Sequence, residues 1–315
     1  TTELAFTDPP PTLNPWDYSR TPGGSSSGSA VGVAAGLFPA ALGSQTAGSL
    51  LRPGAYNGVV SLKPTYGLVN VEGVIPLSRS LDTVGTFSRT VDGIAVVLEA
   101  LTGHNVRTDQ EDDTICPRIG VVRPFFEERS SNETVQELNN LTKLLAAAGA
   151  TIGEIRPDVD MDQIVHAHRL VMAVESAGIY REQFEEQPDA FGPNIKGFIE
   201  WGLATPNAYY VDAQRQRRDF RTTMEQALAG FDAVLTPTVP TSAPKDTTTT
   251  GDPTYQTPWT TAGFPAITLP YTLDRDGMPM AVQLAALPWS DASLLATARW
   301  CEAVIGFNAR PHLDV

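Results

Sequence analysis

Residues 43–53 of the chain read Gly43-Ser44-Gln45-Thr46-Ala47-Gly48-Ser49-Leu50-Leu51-Arg52-Pro53. Small and hydroxyl-bearing residues come directly before a short apolar run, which is typical of a turn that leads into a helix. Ser49 stands at that junction, after a glycine. A glycine-rich turn that enters a helix presents free backbone N–H groups, and the helix dipole behind them favours negative charge. The stretch therefore predicts a serine side chain beside an anion-binding turn.

A second cluster of small residues lies upstream and reads Gly23-Gly24-Ser25-Ser26-Ser27-Gly28-Ser29. Four interpretations compete. A flexible linker fits the composition, but buried-looking segments follow at once. A phosphate loop needs lysine where Ser29 stands. A nucleophile elbow with Ser26 as nucleophile needs a preceding strand, which Tyr18–Pro22 does not resemble. A helix start with serines as caps stays open on the cluster alone.

The two clusters, taken in this order, resemble the amidase signature family of serine hydrolases. The resemblance is dense over residues 1–105 and sparse but ordered to about residue 305. Further stretches that carry it are Asn14-Pro15-Trp16, Gly58-Val59-Val60-Ser61-Leu62-Lys63-Pro64-Thr65-Tyr66-Gly67, Gly73-Val74-Ile75-Pro76, Leu81-Asp82-Thr83-Val84-Gly85, Arg89-Thr90-Val91-Asp92, the segment 232–237, the segment 263–270 and the segment 277–283.

The resemblance implies an amidase that hydrolyses a carboxamide C–N bond to a carboxylate plus ammonia or an amine. Ser49 matches the nucleophile, and Ser25, which is 24 residues upstream, matches a bridging serine held in a cis peptide. The backbone N–H groups of Thr46, Ala47, Gly48 and Ser49 match the oxyanion hole. The implied mechanism proceeds through a serine acyl-enzyme and uses neither a metal nor a cofactor. An alternative is an esterase of the α/β-hydrolase type that uses Ser26.

The family's general base is a lysine well upstream of the bridging serine. The four lysines of this chain are Lys63, Lys143, Lys196 and Lys245, all downstream of Ser25. Lys63 matches a Lys-Pro-Thr stretch that is not the catalytic position, and Thr1–Phe6 resembles the segment shortly after the upstream region. We therefore expect an N-terminally incomplete amidase, inactive or nearly so as printed. A degenerate amidase fold used for binding is the alternative that is not an enzyme.

Two departures from the commonest family pattern concern the substrate. Gln45 and Ala47 stand where many members carry Asp and Gly, and Arg52 lies three residues after Ser49 instead of two. This form weakens a glutaminyl-tRNA amidotransferase role but leaves amidase activity intact. A guanidinium fork suits a carboxylate, so Arg52 is predicted either to bind a substrate carboxylate or to form a structural ion pair.

Composition limits the other function classes. A net charge of −14 and a pI near 4.7 argue against a nucleic-acid partner, which would need a basic face. The two cysteines, Cys116 and Cys301, give neither a disulfide framework nor a zinc spacing. His166 and His168 do not share a helix face, so they do not predict a metal site. We expect a cytoplasmic enzyme with a small amide substrate, no membrane span and a homodimer as one allowed assembly.

The hydrophobic patterning predicts a single α/β domain over residues 1–315, and the resemblance implies that this is an amidase domain with its motif core at 14–92. The alternation of strand and helix near residues 119–155 indicates an α/β crossover, and the resemblance implies a central mixed β-sheet flanked by helices on both faces. Predicted helices are 29–37, 90–101, 132–148, 161–184, 208–228 and 290–304, with a further helix beginning near Ser49. Predicted strands are 40–43, 119–122, 151–155, 233–235, 266–270 and 280–284.

Overall fold

The computed structural model describes residues 12–106 and 116–312. The segment Thr1–Phe6, to which a family resemblance is assigned above, lies outside the described residues. Eight strands are present in the described part: β1 (Ala40–Gln45), β2 (Val60–Lys63), β3 (Thr83–Ser88), β4 (Arg118–Val122), β5 (Thr151–Ile155), β6 (Ala233–Pro237), β7 (Ala266–Leu273) and β8 (Pro279–Ala285).

Ten α-helices occur in the same ranges, together with a 3-10 turn at Pro188–Ala190. They are α1 (Ser27–Ala34), α2 (Leu51–Asn57), α3 (Val91–Thr102), α4 (Pro124–Glu127), α5 (Asn132–Ala147), α6 (Met161–Glu186), α7 (Pro193–Ala204), α8 (Asn207–Ala227), α9 (Thr257–Ala262) and α10 (Asp291–Ile305). Local sequence sets several ends. The Thr90 hydroxyl accepts from the N–H of Gly93 at the start of α3, and Gly103 ends that helix with φ at 70°, where glycine is favoured.

The strands form one mixed sheet in the order β1-β3-β2-β7-β8-β6-β4-β5. β4 pairs in parallel with both β5 and β6, and the remaining pairs are antiparallel. The chain leaves β4, passes through α4 and α5 and returns as β5. The crossover predicted from the pattern is therefore confirmed.

Apolar residues cover both faces of this sheet. On one face α3, α5 and α10 pack against inward residues such as Leu62, Ile267 and Leu284. On the other face α2, α6, α8 and α9 pack against Val234, Ala266 and neighbours. The expected mixed sheet with helices on both faces is confirmed. No helix of the described ranges is both long and apolar enough to cross a membrane.

The first strand differs from the sequence prediction. A short buried strand is predicted at residues 40–43, but β1 lies at the edge of the sheet, paired with β3 only, and Leu42 is 50% exposed. Strands β2 and β3 and helices α4, α7 and α9 are absent from the prediction. β2 ends on a lysine and β3 reads Thr-Val-Gly-Thr-Phe-Ser, so neither shows the apolar pattern of a core strand.

Candidate active site

The Asn14-Pro15-Trp16 stretch fixes the loop that precedes Ser25. The Asn14 side-chain amide donates to the carbonyls of Thr21 and Tyr56, both at 3.0 Å. The Trp16 indole N–H donates to the Asn57 carbonyl at 2.9 Å. Residues 20–24 are buried, which a flexible linker would not be. The loop therefore lies along α2, the helix that follows Ser49.

Arg52 holds the peptide group that carries Ser25. The Gly24–Ser25 bond is cis, as the family resemblance implies. One guanidinium nitrogen of Arg52, Nη2, donates to the Gly24 carbonyl at 2.7 Å and to Thr250 Oγ1 at 3.0 Å. Burial lowers the pKa of Arg52 to about 10. Its Nε and Nη1 atoms are buried and have no hydrogen-bond partner within the described residues.

The turn from Thr46 to Ser49 has its backbone donors free. In the described part of the chain, no hydrogen bond is donated by the backbone N–H of any of these four residues. The next two N–H groups, those of Leu50 and Leu51, both donate to Gln45 Oε1, at 3.0 and 3.1 Å. The side chain of Gln45 thus caps the start of α2 and leaves the turn before it open. Four consecutive unpaired donors at a helix entry form an anion-binding concavity.

One cavity of about 270 Å³ brings most of the predicted site residues together. Ser25, Ser49, Thr46, Ala47 and Arg52 all line it, and Gly48 lies buried between Ala47 and Ser49. The rest of the wall is largely apolar. Most of its apolar members come from the loop 71–77 and from α6 and α7, with one more from β3 and one from the segment before α9. They are Val71, Val74, Ile75, Leu77, Val84, Met172, Ile195, Phe198 and Pro253.

The carboxylate of Asp82 forms hydrogen bonds both to the turn 46–49 and to the end of the loop 71–77. Its Oδ1 accepts from the Thr46 hydroxyl at 2.6 Å, and its Oδ2 accepts from the N–H groups of Leu77 and Ser78 at 2.7 and 2.9 Å. Burial raises the pKa of Asp82, against the effect of these hydrogen bonds. Glu175, on α6, accepts hydrogen bonds from Ser78 and Ser80, which directly follow this loop. Sequence reasoning passed over Asp82, although it lies within a stretch that carries the resemblance.

Ser26, the alternative nucleophile, lies outside the lining of this cavity. Its hydroxyl donates to the Ser44 carbonyl and accepts from the Ser44 N–H, each at 3.2 Å. None of the described residues before it forms a strand. The hydroxyl therefore bridges the start of α1 to β1, whereas Ser49 lines the cavity.

The two histidines of α6 have separate surroundings. His168 is fully buried, and its Nδ1 lies 2.9 Å from Thr261 Oγ1. Burial lowers the pKa of His168 to about 3, so the ring is neutral. His166 is exposed and lies against Trp201. The pair therefore does not converge on a common site.

Sequence comparison identifies the chain's relatives. The Amidase family model matches residues 2–295. A glutamyl-tRNA(Gln) amidotransferase subunit of Picosynechococcus sp. is 32% identical over 348 residues, covering 95% of this chain and 71% of the relative. The protein of the same name from Rubrobacter xylanophilus is 33% identical over 343 residues, with 95% and 71% covered.

Solved structures agree with that assignment. An amidase crystal structure superposes with a TM-score of 0.87 at 32% identity and covers 94% of this chain and 70% of that one. The peptide amidase of Stenotrophomonas maltophilia gives 0.79 at 28% identity, with 97% and 70% covered. Members of this family are amide hydrolases or amidotransferases. With a family match over most of its length and relatives above 30% identity, the chain belongs to the amidase signature family.

Proposed function

We propose that this chain carries the nucleophile and oxyanion hole of an amidase that hydrolyses an uncharged, apolar carboxamide through an acyl-enzyme on Ser49. One observation carries the proposal: Ser49 lines an apolar cavity at the end of a turn whose four backbone N–H groups, those of residues 46–49, have no internal partner among the described residues. Unpaired donors of this kind stabilise the negative oxygen of a tetrahedral intermediate.

The proposed reaction has two halves. In the first, Ser49 Oγ attacks the amide carbon, and its proton passes through the Ser25 hydroxyl to a general base. The carbonyl electrons move to the oxygen that the turn binds. The C–N bond then breaks, and the nitrogen takes the proton and leaves as ammonia or an amine. In the second half, water attacks the Ser49 ester and releases the carboxylate, which restores the serine.

The resemblance assigns the base to a lysine, and no lysine lines the described cavity. Lys63, the one described lysine with a strongly shifted pKa, is fully buried at the end of β2 and donates to the Pro64 carbonyl at 2.8 Å. Burial lowers its pKa to about 7, a value that suits a base, but it does not reach the cavity. The proposal therefore leaves Lys63 out of the mechanism.

The cavity wall supports an apolar acyl group. A free amino-acid amide such as glutamine carries an ammonium and a carboxylate that would both need polar partners. The Arg52 atoms that lack partners, Nε and Nη1, are buried, and Nη2 already serves Gly24 and Thr250. The side chains of Phe198, Met172 and Leu77 instead offer area to an alkyl or aryl chain.

Labelling with a fluorophosphonate probe and peptide mapping test the proposal. We expect the purified chain to take the label at Ser49, Ser49→Ala to abolish it and Ser25→Ala to slow it. Label on Ser26 would favour the esterase alternative. A chain that folds but takes no label at any serine would favour the alternative in which the amidase fold serves binding.

A further inference from the structure

We propose that Thr260 is a positioning residue for the oxyanion hole: its hydroxyl holds the Ala47 carbonyl and so aims the Gly48 N–H at the substrate oxygen. The inference rests on the proposed function, because it assigns a task within that site. Thr260 lies on α9, more than two hundred positions from the turn along the sequence, and is buried with 2% of its surface exposed. No sequence motif singles it out.

The hydrogen bonds around Thr260 determine where its one proton goes. Gln45 Nε2 donates to Thr260 Oγ1 at 2.9 Å and so occupies a lone pair of that oxygen. Two carbonyl oxygens can then accept the hydroxyl proton: Ala47 at 2.9 Å and Gln256, in the turn that opens α9, at 3.2 Å. The shorter contact belongs to Ala47, so the proton is best placed between α9 and the turn.

Fixing the Ala47 carbonyl also fixes the next N–H. The Ala47–Gly48 peptide is trans, since the one cis bond in the described ranges is Gly24–Ser25. In a planar trans peptide the C=O and N–H groups point in opposite directions. The carbonyl of Ala47 faces α9, so the Gly48 N–H faces the other side of the turn, where Ala47 and Ser49 line the cavity.

The turn needs such a hold because Gly48 has no side chain to limit its rotation. A Cβ at Gly48 would collide with the side-chain oxygen of Gln256, so a larger residue here would require Gln256 to move. Gln45 completes the arrangement. Its Oε1 fixes the N–H groups of Leu50 and Leu51 after the turn, while its Nε2 orients Thr260 on the Ala47 carbonyl. The donors are thereby oriented before substrate arrives, which is the condition for strong oxyanion stabilisation.

Thr260→Val tests the assignment, because valine keeps the shape and removes the hydroxyl. The measurement is the maximal rate and the half-saturating concentration of Ser49 labelling by a fluorophosphonate. We expect Thr260→Val to lower the maximal rate about 10- to 100-fold at an unchanged half-saturating concentration. Thr260→Ser, which keeps the hydroxyl, should stay within about threefold of the wild type.

Thr268→Val is the matched control. Thr268 is equally buried, and its hydroxyl donates to the Leu51 carbonyl at 3.2 Å, outside the turn. The Thr268→Val variant should be destabilised to a similar degree as Thr260→Val, but Ser49 should be labelled in it at the wild-type rate. Equal labelling rates for Thr260→Val and Thr268→Val would overturn the proposal.

A crystal structure of Thr260→Val separates this inference from the proposed function. If the wild type takes no label, the proposed function fails, and the orientation of the Ala47–Gly48 peptide still decides the role of Thr260. We expect the Ala47 carbonyl to rotate away from α9 in Thr260→Val and to stay in place in Thr260→Ser. An Ala47 carbonyl unmoved in Thr260→Val would contradict a positioning role.

Discussion

Arg52 Nη2 donates a 2.7 Å hydrogen bond to the carbonyl oxygen of Gly24, the residue directly before Ser25. The residue predicted to bind a substrate carboxylate is thus hydrogen-bonded to the peptide group of Ser25, the proposed bridging serine. It forms no ion pair with any carboxylate of the described residues. The predicted structural ion pair is therefore absent from the described residues, and the predicted carboxylate binding can be separated from this third role by substitution.

Arg52→Lys should slow Ser49 labelling about tenfold or more, because an ammonium on a different stem does not place a donor where Nη2 donates to both Gly24 and Thr250. The slowing should be the same for probes with and without a carboxylate. A loss confined to the carboxylate-bearing probe would instead show substrate recognition. Arg20→Lys is the matched control, since Arg20 is also buried and donates to a backbone carbonyl, that of Ala243, outside the cavity.

Phe198→Ala should weaken the binding of apolar amides. Hexanamide bound in the cavity should protect Ser49 from the label. Because the variant lacks a ring that packs on the acyl chain, the concentration of hexanamide needed for half-protection should rise about tenfold. Glutamine should protect the wild type less well than hexanamide at equal concentration. Phe184→Ala, which removes a ring packed on Phe191 away from the cavity, should leave protection unchanged. Better protection by glutamine than by hexanamide would contradict the apolar substrate class.

A primary amine added to the buffer should accelerate Ser49 labelling. The described cavity contains no lysine or histidine side chain, so a small amine that diffuses into it can act as the general base. We expect the rate to rise in proportion to the concentration of unprotonated amine. Lys63→Met should show the same rise, because Lys63 lies outside the cavity. A fast rate that added amine leaves unchanged, and that Lys63→Met abolishes, would place Lys63 in the mechanism.

His168 should make the fold sensitive to acid. Its pKa is about 3 in the folded chain and near 6.5 when exposed, so between those values the unfolded chain binds a proton that the folded chain does not. The free energy of unfolding should therefore fall as the pH drops from 6.5 towards 3, by up to about 1.4 kcal/mol per pH unit from this group. Denaturant titrations of His168→Gln should show a flatter decline. A decline identical to that of the wild type would show that His168 does not cause the acid sensitivity. His166→Gln is the control, because it removes a histidine at an exposed position.

Local sequence predicts one half of this site and not the other. Ser25, Ser49 and the turn lie in two short motifs, and helix caps such as Thr90 and Gly103 are read directly from residue types. The apolar wall is formed largely by the loop 71–77 together with α6 and α7, which lie far from that loop in the sequence. Thr260 acts through a side chain that packs on the turn from α9. Contacts of that kind depend on tertiary packing, so no local pattern predicts them.

The edge position of β1 shows the same limit. Residues 40–43 are small and apolar, which predicts burial, but the pairing order of the sheet places this strand outermost. Burial of β2 and β3 likewise comes from their places beside β7 and β1. Strand order depends on contacts distant in sequence, and the local pattern contains no information about it.

The most direct test of the account is intact-mass and peptide analysis of the chain after brief exposure to p-nitrophenyl hexanoate, an activated acyl donor that demands little of the general base. The account predicts a hexanoyl ester on Ser49, absent in Ser49→Ala and formed more slowly in Ser25→Ala. Hexanoyl transfer to Ser26, or a chain acylated equally well without the Ser49 hydroxyl, would contradict it.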